Sequence, residues 1–600
     1  MVTALARVAS ASFVLLLAST IAASRAGAQS GPAPRRSELG PDLSAPDASR
    51  EKERQSHVPT KAPPRRPSPP DGPDEDPDAG RSYAQCETAI AADPADENHI
   101  VGVAVDLEAG YAVTRWYTSF DGGATWSTGA IADEPGYLFN GDPAVVITPD
   151  GVPVIALLQY WGAGGSAVYS YRSLDGGLTW QPGVRVDLDP GDDKVQAAVD
   201  LSSGPHHGQI ALAWDRFGTS KGDLVYTAVS DDGGSTWQHV QRVDDVNNVA
   251  TIAPDVAYGP DSELWVTWAD RGNFDIQVDR STDGGATFGA DVKAGDYSQV
   301  PSSLPNSYFR IFDIFSIAVD WTNGPYSGYV YVLYHKWTKT QVPFNADVFV
   351  LRSTDDGATW EKFNVNKSDT TEADQVMPFA QVDEHGNLDV AYFDRRLDPN
   401  NFLLWTWVAR SSDGGHTFAE FPASDVGWDH AASDNPWYIG DYLGLDVTSH
   451  AVHTLFADGR TGSIDVRGDA LHLDLHTDVS EISAATGGVV TFTLNVGPNH
   501  ASDVYWLLGS TSTAPGLDFR KVHLPLNYDW LFECTMALTN SSTFQNSLGA
   551  LDPTGSAVVV ADVEAPIDAS LVGTDLYFAA LLWDPKPVFA TNATVVTVVP

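Results

Sequence analysis

Six copies of one eight-residue turn constrain this chain more than any other feature of its sequence. The first two are Ser119-Phe-Asp121-Gly-Gly123-Ala-Thr125-Trp126 and Ser173-Leu-Asp175-Gly-Gly177-Leu-Thr179-Trp180. Four more are centred on Asp232, Asp283, Asp355 and Asp413 and close on Trp237, Phe288, Trp360 and Phe418. Consecutive central aspartates lie 51 to 72 residues apart. In such a turn the Asp accepts hydrogen bonds from the turn's own backbone, the Gly permits left-handed φ, and the terminal aromatic packs into a sheet. Each copy follows an alternating segment such as Ala167-Val-Tyr-Ser-Tyr171 or Asp347-Val-Phe-Val-Leu351. Each repeat also holds an earlier strand, such as Ile210-Ala-Leu-Ala-Trp214 or Leu264-Trp-Val-Thr-Trp268. A repeat of this length fits one four-stranded blade of a propeller.

A seventh repeat runs from Gly440 to about Asp474, with Tyr442–Val447 as its first strand and Ala451–Phe456 as its second; it lacks the turn motif. Counting first strands predicts a seven-bladed β-propeller, and counting turns gives six blades as the alternative. Beyond about Val479 the texture changes. Gly487–Val496 alternates cleanly and Thr594–Val599 supplies a closing strand, which predicts a small β-sandwich. The chain is therefore expected to be all-β, with a propeller over 83–475 and a sandwich over 479–600.

The N-terminus has the pattern of an export signal over 1–28: Arg7, an apolar stretch from Ala11 to Ala23, then Ala26-Gly27-Ala28. Residues 29–80 are rich in Pro, Ser, Asp and Arg and poor in large apolar side chains, which predicts an unstructured spacer. A periplasmic, cell-surface or extracellular destination follows. The two cysteines, Cys86 and Cys534, either pair in that oxidising setting or stay as two thiols. The 79 acidic and 35 basic residues give a net charge of −44, which repels nucleic acid. No later run has the length of a membrane helix. A monomer is expected.

The six turns match the Ser-x-Asp-x-Gly-x-Thr-Trp pattern, and over roughly 83–475 the chain resembles the sialidase (BNR, Asp-box) superfamily. That resemblance makes Asp121, Asp175, Asp232, Asp283, Asp355 and Asp413 structural, on turns between third and fourth strands, facing away from the active site. Members that cleave sialosides carry three arginines gripping the substrate carboxylate, a Tyr/Glu nucleophile pair and an Asp acid/base. The first of those arginines sits in an Arg-Ile-Pro element on the first strand. Here that strand reads Glu87-Thr-Ala-Ile-Ala91, and the nearest look-alike is Phe309-Arg310-Ile311-Phe312 in mid-chain. The arginine set does not carry over residue by residue.

If the boxes mark one face, the loops between second and third strands open on the other. There an aromatic, an Asp and an Arg recur: Trp214-Asp215-Arg216, Trp268-Ala-Asp270-Arg271, Phe393-Asp394-Arg395-Arg396 and Phe456-Ala-Asp458-Gly-Arg460. Arginine forks at a shared mouth hold carboxylates or sugar hydroxyls, and aspartates there do acid/base work. Equally, each Asp can pair with an Arg to pin its loop. The catalytic candidates are Asp215, Asp270, Asp394, Arg395, Asp458 and Arg460, and the binding candidates include Arg216, Arg271, Arg310 and Arg396. Two long connections, about 289–313 and 419–440, add Tyr297, Tyr308, Trp428, Trp437 and Tyr438, aromatics of the kind that stack on sugar rings. At the innermost strands stand Glu87, Asp142, Asp193, Asp255, Asp313, Asp374 and Asp441. Carboxylates crowded round a channel repel one another unless a cation sits among them, so Asp142, Asp255, Asp313 and Asp441 are candidate ligands for Ca²⁺. Glycan recognition on the face opposite the boxes is the expected function, with exo-sialidase-type glycoside hydrolysis as the alternative.

Overall fold

The computed structural model describes residues 76–77 and 83–600, apart from 108–111, 162–164, 248, 299, 301–303, 305–308, 340–344, 449–450, 473, 478, 480, 497–499, 514–515, 520–521, 554, 584–585 and 592. The expected export signal, the spacer except for residues 76–77, and Tyr308 lie outside the described residues.

The chain is nearly all β. The first sheet is Gln85–Asp93, Asp96–Asp106, Val113–Ser119 and Ser127–Ala130, antiparallel in chain order. The same four-strand pattern recurs over 139–185, 192–242, 249–296, 316–364 and 375–422. A short parallel bridge, Gly222 to Val249 and Asp223 to Ala250, links the third and fourth of these sheets. A seventh sheet holds three strands, Gly444–Val447, Ala451–Asp458 and Asp465–His472. Second strands such as Leu264–Asp270 and Leu388–Asp394 are buried along their whole length. That is why they read as near-continuous apolar runs, covered on both faces by neighbouring sheets.

Each first strand packs against the next, and the seventh packs back on the first. Apolar clusters fill the wedges between sheets. Val101 and Val103 meet Ile155 and Leu157 between the first two, and Leu455 and Val466 meet Ile100 and Tyr117 where the seventh meets the first. Each such side chain contributes roughly 1.5–3 kcal/mol by leaving water. Hydrogen bonds sew the closure: Gln85 N donates to Ile464 O at 2.7 Å, Gly444 N to Thr88 Oγ1 at 3.1 Å, and Ala92 N to Asp446 Oδ2 at 2.8 Å. This ring of radial sheets is a β-propeller.

The six boxes lie in the turns between third and fourth strands and share one bonding pattern. In the first, Asp121 Oδ1 accepts from Ser119 Oγ and from Thr125 N, both at 2.8 Å, and Oδ2 accepts from Thr125 Oγ1 at 2.6 Å. Gly122 N donates to Asn98 O at 3.1 Å, which sets the box beside the first-to-second strand turn. The starts of the inner strands therefore open on the opposite face. The box aromatics tie sheets together: Trp237 Nε1 donates to Ser170 Oγ of the preceding sheet at 2.7 Å.

The C-terminal part forms two further sheets over a shared core. One pairs Leu475–Thr477, Gly488–Asn495, Ser556–Val563 and Phe544–Gln545; the other is built on Thr594–Val599, Asp575–Trp583 and Val504–Ser510. Phe492 and Val559 face Leu507, Ala580 and Val598 across that core. Its first strand begins at Leu475. Cys86 and Cys534 are both free thiols.

Candidate functional site

The inner strands do not run smoothly to the face opposite the boxes. Five of them carry an extra residue at the same level, where the ladder register slips. The five residues there, Glu87, Asp142, Lys194, Ala253 and Met377, have φ of 53°, 50°, 49°, 55° and 57°. A non-glycine residue in this left-handed region costs about 1–2 kcal/mol. The same strain repeated in five sheets re-aims side chains around the ring's axis, which is what a bulge does next to a site. Glu87, Asp142, Lys194 and Ala253 line one depression, together with Asp193, Asp215, Arg310, Phe312, Tyr438 and Asp441.

The two long connections meet over it, since Arg310 N donates to Trp437 O at 3.0 Å. Tyr438 drops from the second connection into the depression, and its hydroxyl donates to Glu87 Oε1 in a close contact. Gly440, at φ +92°, lets the chain pass so near the first strand that a Cβ there would stand 2.5 Å from Glu87 N. Arg310 grips Asp441 with Nε at 3.1 Å from Oδ1 and a second, closer bond from Nη2 to Oδ2. Its guanidinium lies 4.8 Å from the Tyr438 ring centroid and 4.4 Å from that of Phe312. Asp142 accepts from Tyr160 Oη at 2.5 Å, and Asp215 Oδ2 from Ala253 N at 2.7 Å.

The groups perturb one another. Burial, then the charges of Asp142 and Asp441, push the Glu87 carboxyl well above the usual range against the opposing pull of Tyr438 and Arg310. Burial, then Asp441 and Glu87, raise the Tyr438 phenol well above its ordinary value. Burial also raises Asp441, opposed by Arg310. Burial lowers the Lys194 ammonium, while Asp255, Asp142, Glu87 and Asp441 pull it back up. Perturbed acids and a phenol converging in one depression are the mark of a functional site.

No protein-family model matches the chain, and no curated protein matches it. Solved structures do. A protein of unknown function from Dyadobacter fermentans is 19% identical over 54% of this chain and 94% of its own, with a TM-score of 0.36. An α-L-arabinanase from Penicillium chrysogenum is 14% identical over 57% of this chain and 96% of its own, with a TM-score of 0.36. The NanB sialidase from Streptococcus pneumoniae is 9% identical over 62% of this chain and 84% of its own, with a TM-score of 0.37.

The candidates from the sequence separate into two groups. Asp142, Asp215, Arg310, Tyr438 and Asp441 come together in the depression. Arg271, half-buried, stands 5.3 Å from the ring centroid of Phe312 at its edge, and Trp437 is exposed. The remainder hold the frame. Arg216 pairs with Asp187 and Asp192, Arg396 with Asp394 and Glu420, and Arg460 with Asp458. Arg395 is fully buried beside Asp374, and Asp270 accepts from Gly272 N at 2.8 Å to cap its own turn.

Two expectations are corrected. Trp428 is core rather than binding surface, being 2% exposed and packed over Gly459. The calcium arrangement does not form: among the described residues no three His, Cys, Asp or Glu groups come together to hold a metal. Asp142 answers to Tyr160, Asp441 to Arg310, Asp255 accepts from Ile317 N at 2.9 Å, and Asp313 lies 4.0 Å from His335. Each carboxylate already has its own protein neighbour. Sequence reasoning missed Lys194, because the extra residue in its strand shifts the aligned position from Asp193 by one.

Proposed function

We propose that this chain is an exported seven-bladed propeller with a C-terminal β-sandwich, and that it binds a glycan in the Tyr438–Glu87 depression and cleaves a glycosidic bond there. The observation that carries this reading is the Tyr438 hydroxyl donating to the Glu87 carboxylate, both buried, beside a second carboxylate at Asp142. A hydroxyl held against a carboxylate is a nucleophile with its base in place. The Tyr438 oxygen attacks the anomeric carbon while its proton passes to Glu87. The leaving oxygen takes a proton from Asp142, which enters the cycle as the carboxylic acid, as the old glycosidic bond breaks. Water then cleaves the tyrosyl–sugar bond, returning a proton to Asp142 and restoring Tyr438 through Glu87. Trp437, at 41% exposure next to Tyr438, supplies a face for the neighbouring sugar.

The lining supports a neutral rather than an acidic substrate. Five carboxylates, Glu87, Asp142, Asp193, Asp215 and Asp441, face two cations, and Arg310 is already paired with Asp441. Such a pocket repels an acidic sugar and favours a neutral glycoside. Recognition without cleavage is the second reading, favoured by the burial that holds the Tyr438 proton on its oxygen.

A panel of neutral and sialyl fluorogenic glycosides tests both. Hydrolysis of a neutral member, with a raised KM and near-normal kcat in Trp437→Ala, supports cleavage. Binding on a glycan array without turnover supports recognition alone. If the protein neither hydrolyses nor binds any of them, the glycan-site reading fails.

A further inference from the structure

Among the described residues, Lys194 lacks the close carboxylate that holds several other cations of the sheets. Arg396 lies 2.6 Å from Asp394, Arg410 2.9 Å from Asp389 and Arg460 2.6 Å from Asp458. Lys194 is 8% exposed, yet its Nζ has no hydrogen-bond partner among the described residues. It sits 3.9 Å above the centroid of the Tyr442 ring, and the carboxylates of Asp255, Asp142, Glu87 and Asp441 act on it at longer range. An ammonium stripped of water with three unused donors is costly. The backbone adds to that cost by holding the residue at φ +49°. Both costs are borne at the level of the strand bulges, in the lining of the depression.

We infer that Lys194 is a substrate-contacting, specificity-determining residue whose ammonium donates to one hydroxyl oxygen of the bound sugar. This rests on the glycan-site reading. A compact charge with rotatable donors suits a hydroxyl, and the surrounding carboxylates oppose the loss of its proton that burial favours. The ligand's oxygen replaces the water that burial removed. A pocket built to donate to one hydroxyl rejects the sugar that lacks it, because the ammonium is then left buried and unpaired.

The test measures affinity of the wild-type protein and Lys194→Met by calorimetry. Its probes are the monosaccharide of the best-accepted glycoside and that sugar's monodeoxy analogues. The wild type is expected to bind one analogue about 10- to 100-fold more weakly than the parent, the range for a hydrogen bond to a charged group. Lys194→Met is expected to bind parent and that analogue equally. Lys194→Gln, with a shorter neutral donor, carries the same comparison should the Met variant fail to fold. Loss of affinity by the same factor for every analogue, or no loss, overturns this inference alone. Failure of the wild type to bind any sugar overturns it together with the glycan-site reading.

Discussion

Glu87 and Tyr438 stand 351 residues apart in the chain and share a hydrogen bond at the centre of the ring. Glu87 enters from the first strand and Tyr438 from the connection before the last sheet, so the pair exists only when the propeller closes. Tyr438→Phe removes the hydroxyl and leaves the ring in place. Its kcat should fall at least a hundred-fold, in line with loss of a nucleophile and its proton path, while the unfolding midpoint stays near wild type. Steady-state rates and thermal denaturation check the two halves.

Gly440 sets the distance between those partners. A methyl group there meets Glu87 N at 2.5 Å and Cys86 Cβ at 3.2 Å, at a φ of +92° that side chains rarely adopt. Gly440→Ala should cost about 1–3 kcal/mol and depress activity with it, because the first strand must retreat from Tyr438. Urea unfolding alongside kcat measurements reads both effects.

The Arg310–Asp441 pair is largely withdrawn from water, with side chains 19% and 12% exposed. Arg310→Met leaves Asp441 buried without its cation and should destabilise the fold by about 3 kcal/mol. Arg310→Met combined with Asp441→Leu should recover much of that loss. Equal destabilisation in the single and double variants would mean that the pair itself is the stabilising element.

Stability should fall on both sides of a mildly acid optimum. All six box carboxylates are held below their ordinary range, chiefly by the bonds from each box's Thr and Ser, and Asp283 is lowered to about 2. A depressed folded pKa contributes stability above the unfolded value near 3.9, and that contribution is lost as pH falls toward about 2. Asp279 has the opposite sign: burial raises it to about 6. Its contribution is complete below the unfolded value and is lost as pH rises through about 6. Unfolding midpoints from pH 2 to 8 should show both limbs, and Asp279→Asn should remove its own share of the upper one, which Asp389 and Asp394, also raised to about 6, continue to supply.

Much of the frame was legible in the sequence because boxes and strands are local signals. Ser119, Asp121 and Thr125 bond within one turn, and a run such as Leu264–Asp270 records its own burial. The seventh sheet was visible from Tyr442–Val447 although its box is gone. The site was legible only in part. Glu87, Asp142 and Asp441 stood out as carboxylates at equivalent positions, and Tyr438 as an aromatic on a long connection. Their meeting depends on ring closure, which no local pattern reports. The bulges hid Lys194 by shifting its strand one residue, and whether an Asp-Arg repeat pins a loop or lines a site depends on distances such as that from Arg396 to Asp394. Trp428 shows the same limit: its place in the core is set by Gly459, far along the chain.

The most direct test is covalent. A fluorinated glycosyl fluoride of the best-accepted sugar slows release of the sugar from the enzyme, and peptide mass spectrometry then finds the residue that carries it. The expected result is one sugar on the peptide containing Tyr438, absent in Tyr438→Phe and unaffected in the box variant Asp413→Ala. A label on any other residue, or turnover of the substrate with no label at Tyr438, would contradict the assignment of the nucleophile and of the face on which it acts.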